Sequence, residues 1–339
     1  MKGKKFYLTL SAGCIKYIWL SVFLISLNLA AKAQQDAQFS QYVFNGLYIN
    51  PAYAGYKQDA YLNAFYRSQW TGFQGAPQTL SVAADGAVKN NTVGLGLLLS
   101  QDRIGAQSNL AIYGNYAYRI QMGRDENNHL AFGLGVGIVQ NGIDGSKLNA
   151  AQGDDNYIPV GFQRNILPDA RVGVLYTTQN FFAGASVDNL VAHLISNQKA
   201  STTLAPLPVP HYYLTAGTLF TLNDQTKLKT SFLIKDDHGG PTSLDLNAFV
   251  LLNDRLWIGG TYRTAVTLYN KGNLQNGLQK SNAMVGTVEV FATERLRIGY
   301  SFDYSLTSLS NYSMGTHELS IGIYLKQSKT EQRTNKCYF

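Results

Sequence analysis

The stretch RLRIGYSFDYSL, residues 295–306, alternates between large apolar residues and small or charged ones along its whole length. A period of two residues is typical of a β-strand whose two faces meet different environments. Residues 130–139, 227–235 and 318–326 repeat the alternation. The sequence therefore predicts an all-β chain built from many strands of this kind.

Working outward from this stretch, we expect about 14 strands of about 8–15 residues between residues 60 and 326, the length of tilted membrane strands. Residues 107–121 are one of them. Short connections such as Asn253-Asp254 alternate with long ones such as 142–168 and 189–209, and a five-residue connection is placed at 102–106. Outer-membrane barrels have short periplasmic turns and longer extracellular loops. The pattern predicts a transmembrane antiparallel β-barrel with both termini periplasmic.

The composition favours a surface that faces lipid. Charged residues make up 14% of the chain, against about 25% in soluble domains. The chain also holds 32 Gly and 22 Tyr but two Cys, which excludes a disulfide scaffold. A soluble β-sandwich adhesin also has alternating strands and stays open as an alternative.

The N-terminus has the layout of a secretory signal peptide. Lys2, Lys4 and Lys5 precede an apolar stretch at 18–29, and Ala31-Lys32-Ala33 forms a cleavage site. A lipoprotein signal ending at Cys14 is the alternative. Removing residues 1–33 takes away five lysines and lowers the formal net charge from +7 to +2. The basic charge therefore gives no support for a nucleic-acid partner.

This division gives four parts. Residues 1–33 are the cleaved signal peptide, and residues 34–59 form an aromatic N-terminal segment at the periplasmic mouth or as a plug. The barrel takes residues 60–327, and a short tail takes residues 328–339.

The first part of the mature chain holds an ordered series of blocks: QFSQY (38–42), NPAYAG (50–55), YRSQWTGFQGAP (66–77), GLG (94–96) and QDRIG (101–105). This series resembles the PorP/SprF family of the type IX secretion system. The resemblance implies an outer-membrane barrel that supports export or cell-surface attachment of adhesin-like cargo, in some cases for gliding motility. It also implies three partners: a cargo protein with a C-terminal sorting domain, other type IX components and outer-membrane lipid.

Aromatic and apolar residues of the outer loops are the candidate partner-binding residues. They are Trp70, Phe73, Tyr157, Phe162, Leu194 and Leu204. For Trp70 and Phe73 the alternative is an interfacial aromatic anchor. For the others the alternative is a pair of loops that fold over each other and cap the barrel.

Enzymatic constellations do not stand out in the sequence. The five His are scattered, no G-x-S-x-G motif occurs, and Gly133-Leu134-Gly135 lies in an alternating strand. Asp154-Asp155-Asn156 and Asp236-Asp237-His238 are interpreted as solvated acidic turns rather than Ca²⁺ sites. We therefore expect no catalytic, cofactor or metal residues. The alternative function is a general porin or small-solute channel.

Overall fold

Fourteen antiparallel strands close into one barrel in chain order, so that β1 pairs with both β2 and β14. This computed structural model describes residues 38–89, 91–125, 127–148, 161–198, 208–271 and 281–325. The prediction of an all-β barrel with 14 strands is confirmed. The signal peptide at 1–33 and the tail at 328–339 lie outside the described residues.

The strand bounds follow the alternating pattern. They are β1 Tyr61–Ser68, β2 Gln78–Val88, β3 Val93–Ile104, β4 Gln107–Gln121, β5 His129–Asp144, β6 Phe162–Thr177, β7 Phe181–Asp188, β8 His211–Asn223, β9 Thr226–Asp236, β10 Thr242–Leu252, β11 Leu256–Val266, β12 Ser281–Phe291, β13 Leu296–Ser305 and β14 Thr316–Tyr324. Among the described residues there are two α-helices, α1 Gly46–Ile49 and α2 Leu190–Gln198, and four 3₁₀ turns at Tyr42–Phe44, Pro51–Tyr53, Gly145–Lys147 and Ser308–Asn311.

The alternation separates the two faces of the wall. In β13, Ile298 and Tyr300 are exposed on the outside, whereas Arg297, Ser301 and Asp303 are buried on the inside. A barrel that faces lipid reverses the usual arrangement, since its apolar side chains point outward and its polar ones inward. The core of this molecule therefore lies within the ring of strands.

The two ends of the barrel differ in their connections. We call the end where β1 begins and β14 ends the short-turn end, and the opposite one, where β1 ends, the long-loop end. The long-loop end carries the β1–β2, β5–β6, β7–β8 and β11–β12 connections. Placement of the short-turn end in the periplasm stays a prediction.

Three sequence-based expectations about the long-loop end were wrong. β3 and β4 are joined by Gly105 and Ala106 alone, not by a loop at 102–106, because Gly105 adopts the left-handed conformation with φ of 55°. The supposed loop at 142–168 is partly strand, since β5 runs to Asp144 and β6 begins at Phe162. The supposed loop at 189–209 contains helix α2.

No helix in the described part of the chain is long and apolar enough to cross a membrane.

Candidate functional site

The N-terminal segment, defined here as residues 38–59, is a compact run of short helical turns ahead of β1. Asn50 and Pro51 start one of these turns, because the Asn50 side chain accepts a hydrogen bond from the Ala52 N–H at 2.9 Å. The aromatic and apolar side chains of the segment are buried: Phe39, Tyr42, Val43, Phe44, Leu47, Ile49 and Tyr53. Burying several aromatic rings gives the segment a large apolar contact area.

A buried ion-pair network anchors the start of the segment to β1, β13 and β14. The guanidinium of Arg67 lies 2.8 Å from Asp303 and 3.1 Å from Glu318. The Glu318 carboxylate accepts hydrogen bonds from the backbone N–H groups of Ser40 at 2.7 Å and Gln41 at 2.9 Å. The Ser40 hydroxyl donates to Asp303 at 2.6 Å. One network of ion pairs and hydrogen bonds therefore joins the barrel wall to the N-terminal segment.

The network extends to β10 and β11. Arg263 lies 3.0 Å from Asp245 and 3.5 Å from Asp303. The side chain of Gln38 donates to Asp245 at 3.4 Å. Taking ions out of water is costly unless good geometry and further hydrogen bonds offset the desolvation. The segment supplies part of those hydrogen bonds, so the charges inside the wall depend on its being in place.

The middle of the segment is anchored on the opposite side of the ring. The Asn50 side chain donates to the carbonyl oxygens of Val174 in β6 at 2.9 Å and Ala185 in β7 at 3.2 Å. Arg171 of β6 donates to the Tyr48 carbonyl at 3.0 Å. β6 and β13 lie seven strands apart in a closed ring of 14. A segment that contacts both sides therefore packs within the ring of strands.

Inward-facing glycines give the backbone of the segment the space it occupies. A Cβ atom at Gly94 would lie 1.8 Å from the Ala54 carbonyl oxygen, and one at Gly133 would lie 2.1 Å from the Ala52 nitrogen. Glycine allows such close approach of two backbones because it has no side chain. The Gly-rich inner face of β3 and β5 therefore matches the N-terminal segment in shape.

A second candidate surface lies at the long-loop end, where the β1–β2 and β13–β14 connections join. The Met314 N–H donates to the Thr71 carbonyl, and the Thr71 N–H donates to the Gly315 carbonyl, each at 2.9 Å. Phe73, Tyr312 and Met314 project from this junction with exposed fractions of 41%, 73% and 71%. We call Phe73, Tyr312 and Met314 the rim patch. Trp70, at its base, is half-buried with φ of 48°.

The other predicted partner-binding residues lie elsewhere on this end. Phe162 is the first residue of β6 and is exposed, and Leu194 is exposed on α2. Tyr157 and Leu204 fall outside the described residues. Sequence reasoning missed Tyr312 and Met314. The available signal was two large apolar residues near the end of the long connection between β13 and β14, residues 306–315.

The sequence suggested that Asp236-Asp237-His238 is a solvated acidic turn, and this prediction was wrong. Asp236 accepts hydrogen bonds from Tyr269 at 2.9 Å and Lys271 at 2.8 Å, and Asp237 is buried. Burial and the hydrogen bond to Asp236 raise the pKa of Tyr269 to about 12. These contacts tie the β9–β10 turn to the β11–β12 connection. Within the described ranges, no three His, Cys, Asp or Glu side chains cluster so as to hold a metal ion.

Comparison with known proteins agrees with this architecture. The family described as "Type IX secretion system membrane protein PorP/SprF" matches residues 31–323. No curated protein matches the chain.

Solved structures of barrel proteins are also similar. The chain resembles the CymD monoaromatic hydrocarbon channel with a TM-score of 0.50 and 11% identity, over 84% of this chain and 93% of that one. A Pseudomonas aeruginosa FadL homologue gives a TM-score of 0.45 and 10% identity, over 89% of this chain and 97% of that one. At such identity the CymD likeness shows the barrel fold alone.

Proposed function

This chain belongs to the PorP/SprF family of type IX secretion system membrane proteins, and from that premise we propose that it supports export or cell-surface attachment of specific cargo proteins. It does so by binding, not by catalysis. The cargo is adhesin-like and carries a C-terminal sorting domain, and one use of such cargo is gliding motility. Other type IX components bind at the short-turn end, which faces the periplasm.

The observation that carries the proposal is the packing of the N-terminal segment. Ser40, Gln41 and Asn50 are hydrogen-bonded to opposite sides of the wall, and aromatic rings fill the space between them. We therefore interpret residues 38–59 as a plug. A plugged barrel passes solutes poorly, and its accessible working surfaces are its two ends. This arrangement favours a scaffold that holds partners over a general porin.

The rim patch supports the assignment of the long-loop end to cargo. Large exposed apolar side chains above a membrane barrel have no lipid to cover them, and exposed apolar patches tend to mark interaction sites. Trp70 at the base of the rim patch, and Phe162 and Leu194 elsewhere on the long-loop end, are further proposed cargo contacts. Tyr157 and Leu204 remain predicted contributors. The lipid-facing outer wall contacts outer-membrane lipid.

Replacing Phe73 and Met314 together with Ser tests the cargo-binding role. The variant should assemble normally. In cells that carry it, the surface level of one exported protein should fall at least tenfold, measured by mass spectrometry of surface-exposed proteins. The matched control is Met284→Ser on the outer face of β12, because Met284 is 56% exposed and belongs to neither of the two proposed binding ends. An unchanged set of surface proteins together with altered solute uptake would overturn the proposal and favour a small-solute channel.

A further inference from the structure

Among the described residues, the first part of β6 pairs with a strand on one side only. β7 pairs with Val172–Thr177 of β6 and ends at Asp188. β5 pairs with β6 along its whole length, from Asp144 opposite Phe162 to His129 opposite Thr177. Within the described ranges, residues 162–171 of β6 therefore have no strand on the β7 side. This stretch, the β6 edge, lies at the long-loop end.

The sequence of the β6 edge agrees with its open side. Pro168 lies within it, and proline, which lacks an N–H group, is confined in sheets to edge strands, first positions and bulges. N–H groups alternate sides along a strand, so Ile166 and Arg164 direct theirs to the same side as the Pro168 nitrogen. β5 pairing is continuous past Pro168. We therefore assign the N–H groups of Ile166 and Arg164 to the open side.

Helix α2 packs beside this edge, and among the described residues no backbone hydrogen bond joins the two. The Asp169 carboxylate accepts hydrogen bonds from the N–H groups of Val191 at 3.1 Å and Ala192 at 2.9 Å. Ala192 is buried in the same cluster as Leu167, and both Leu167 and Asp169 are on the buried, inner face of β6. The backbone groups of an α-helix bond to one another within the helix, so α2 does not pair with β6 as a strand would.

One basic residue, Arg164, lies on the outer face of the edge, and a second, Arg103, lies in the same row three strands away, about 14 Å across the sheet. The strand register places Arg103, Ser108, Gly142 and Arg164 in one row across β3 to β6. Residues in one row share a face of the sheet, and both arginines are exposed. Ile166, two residues along the same strand, is 53% exposed. An incoming strand would therefore meet a positive charge beside an apolar side chain.

We infer that the β6 edge is a docking site for an extended segment of the exported partner, which adds to the barrel wall as a further β-strand. An extended backbone can pair, along its whole length, a row of N–H and carbonyl groups that no described strand pairs, and strand addition is a recurring mode of peptide recognition. The fitting segment is free of proline, alternates apolar and polar residues, and carries an acidic residue opposite Arg164. The inference rests on the proposed function for one point, that the partner is an exported protein.

The test separates backbone pairing from side-chain contact. Cells that lack this chain first identify the exported protein whose surface level depends on it, and that protein is the probe. Ile166→Pro removes an N–H group on the open side and should lower the probe's surface level at least tenfold. Ile166→Ala keeps the N–H group and should lower it threefold at most. Equal losses in both variants, with normal assembly, would overturn the inference.

Photo-crosslinking tests the same edge without relying on a proline variant. A benzoyl-phenylalanine placed at Ile166 should crosslink to the probe. One at Ile138, which is opposite Pro168 on β5 and 45% exposed, should not, because both sides of β5 are paired. Crosslinks from both positions, or to a second copy of this chain, would overturn the inference. A surface proteome unchanged by loss of the whole chain would instead contradict the proposed function.

Discussion

Arg67 joins the barrel wall to the N-terminal segment. It contacts Asp303 and Glu318, and through Ser40 and Gln41 these carboxylates also hold the segment. Replacing one partner of a buried ion pair leaves the others without compensation, at a cost of about 3–5 kcal/mol. The charge on Arg67 is therefore a structural requirement of the filled barrel.

Arg67→Met should destabilise the refolded protein by about 3–5 kcal/mol. The measurement is urea unfolding in lipid vesicles, followed by tryptophan fluorescence. Arg255→Met is the control, because Arg255 is exposed in the β10–β11 turn. Equal unfolding midpoints for the two variants would show that the network contributes nothing to stability.

Gly94→Ala tests the fit between segment and wall. The added methyl group would meet the Ala54 carbonyl oxygen, and overpacking of this kind costs about 1–3 kcal/mol. We expect at least tenfold faster hydrogen exchange in peptides covering residues 38–56, measured by mass spectrometry. Gly286→Ala is the control, since a Cβ there has no atom within 4 Å. The fit would be disproved by equal exchange in both variants.

At the scale of elements, the alternating pattern predicted the positions of strands better than those of the connections between them. The strand predicted at 107–121 agrees with β4, and the inner and outer faces of β13 are as expected. The start of β6 was missed because Gln163, Arg164, Asn165 and Pro168 have the composition of a loop. A strand with one open side tolerates such residues. Helix α2 was missed because its position depends on Asp169, which is distant in sequence.

Helix α2 depends on Asp169 as an acceptor for its first N–H groups. Removing such a cap costs about 1 kcal/mol. Asp169→Ala should therefore accelerate exchange of the Val191 and Ala192 amides about fivefold, as measured by hydrogen exchange. Asp144→Ala is the control, because Asp144 accepts from the Ser146 N–H in an exposed turn elsewhere. Acceleration by both variants would mean that Asp169 has no specific role.

At the scale of the whole molecule, the barrel was predictable, but the contacts that the N-terminal segment makes inside it were not. Strand count and closure follow from a pattern repeated along the chain. The contacts of the N-terminal segment join residues more than 200 positions apart, such as Ser40 with Glu318 and Tyr42 with Asn247. No local pattern encodes such pairs. The sequence offered aromatic residues before β1 and small inward residues, which predict a filled lumen without naming its contacts.

A closed barrel also predicts how the purified protein behaves. It should fractionate with outer membranes and resist carbonate extraction. It should also migrate faster on a denaturing gel before boiling than after it, because the continuous hydrogen bonding between strands of a closed barrel resists detergent. Recovery in the soluble fraction without detergent would instead support the soluble β-sandwich alternative.

Single-channel recording in planar bilayers tests the central claim, that the N-terminal segment plugs the barrel. The intact protein should give no steady conductance. A variant lacking residues 38–56, shown by its gel mobility to have assembled, should give a steady open-channel current. A large and steady current through the intact protein, equal to that of the deletion variant, would contradict the plug and identify the molecule as an open pore.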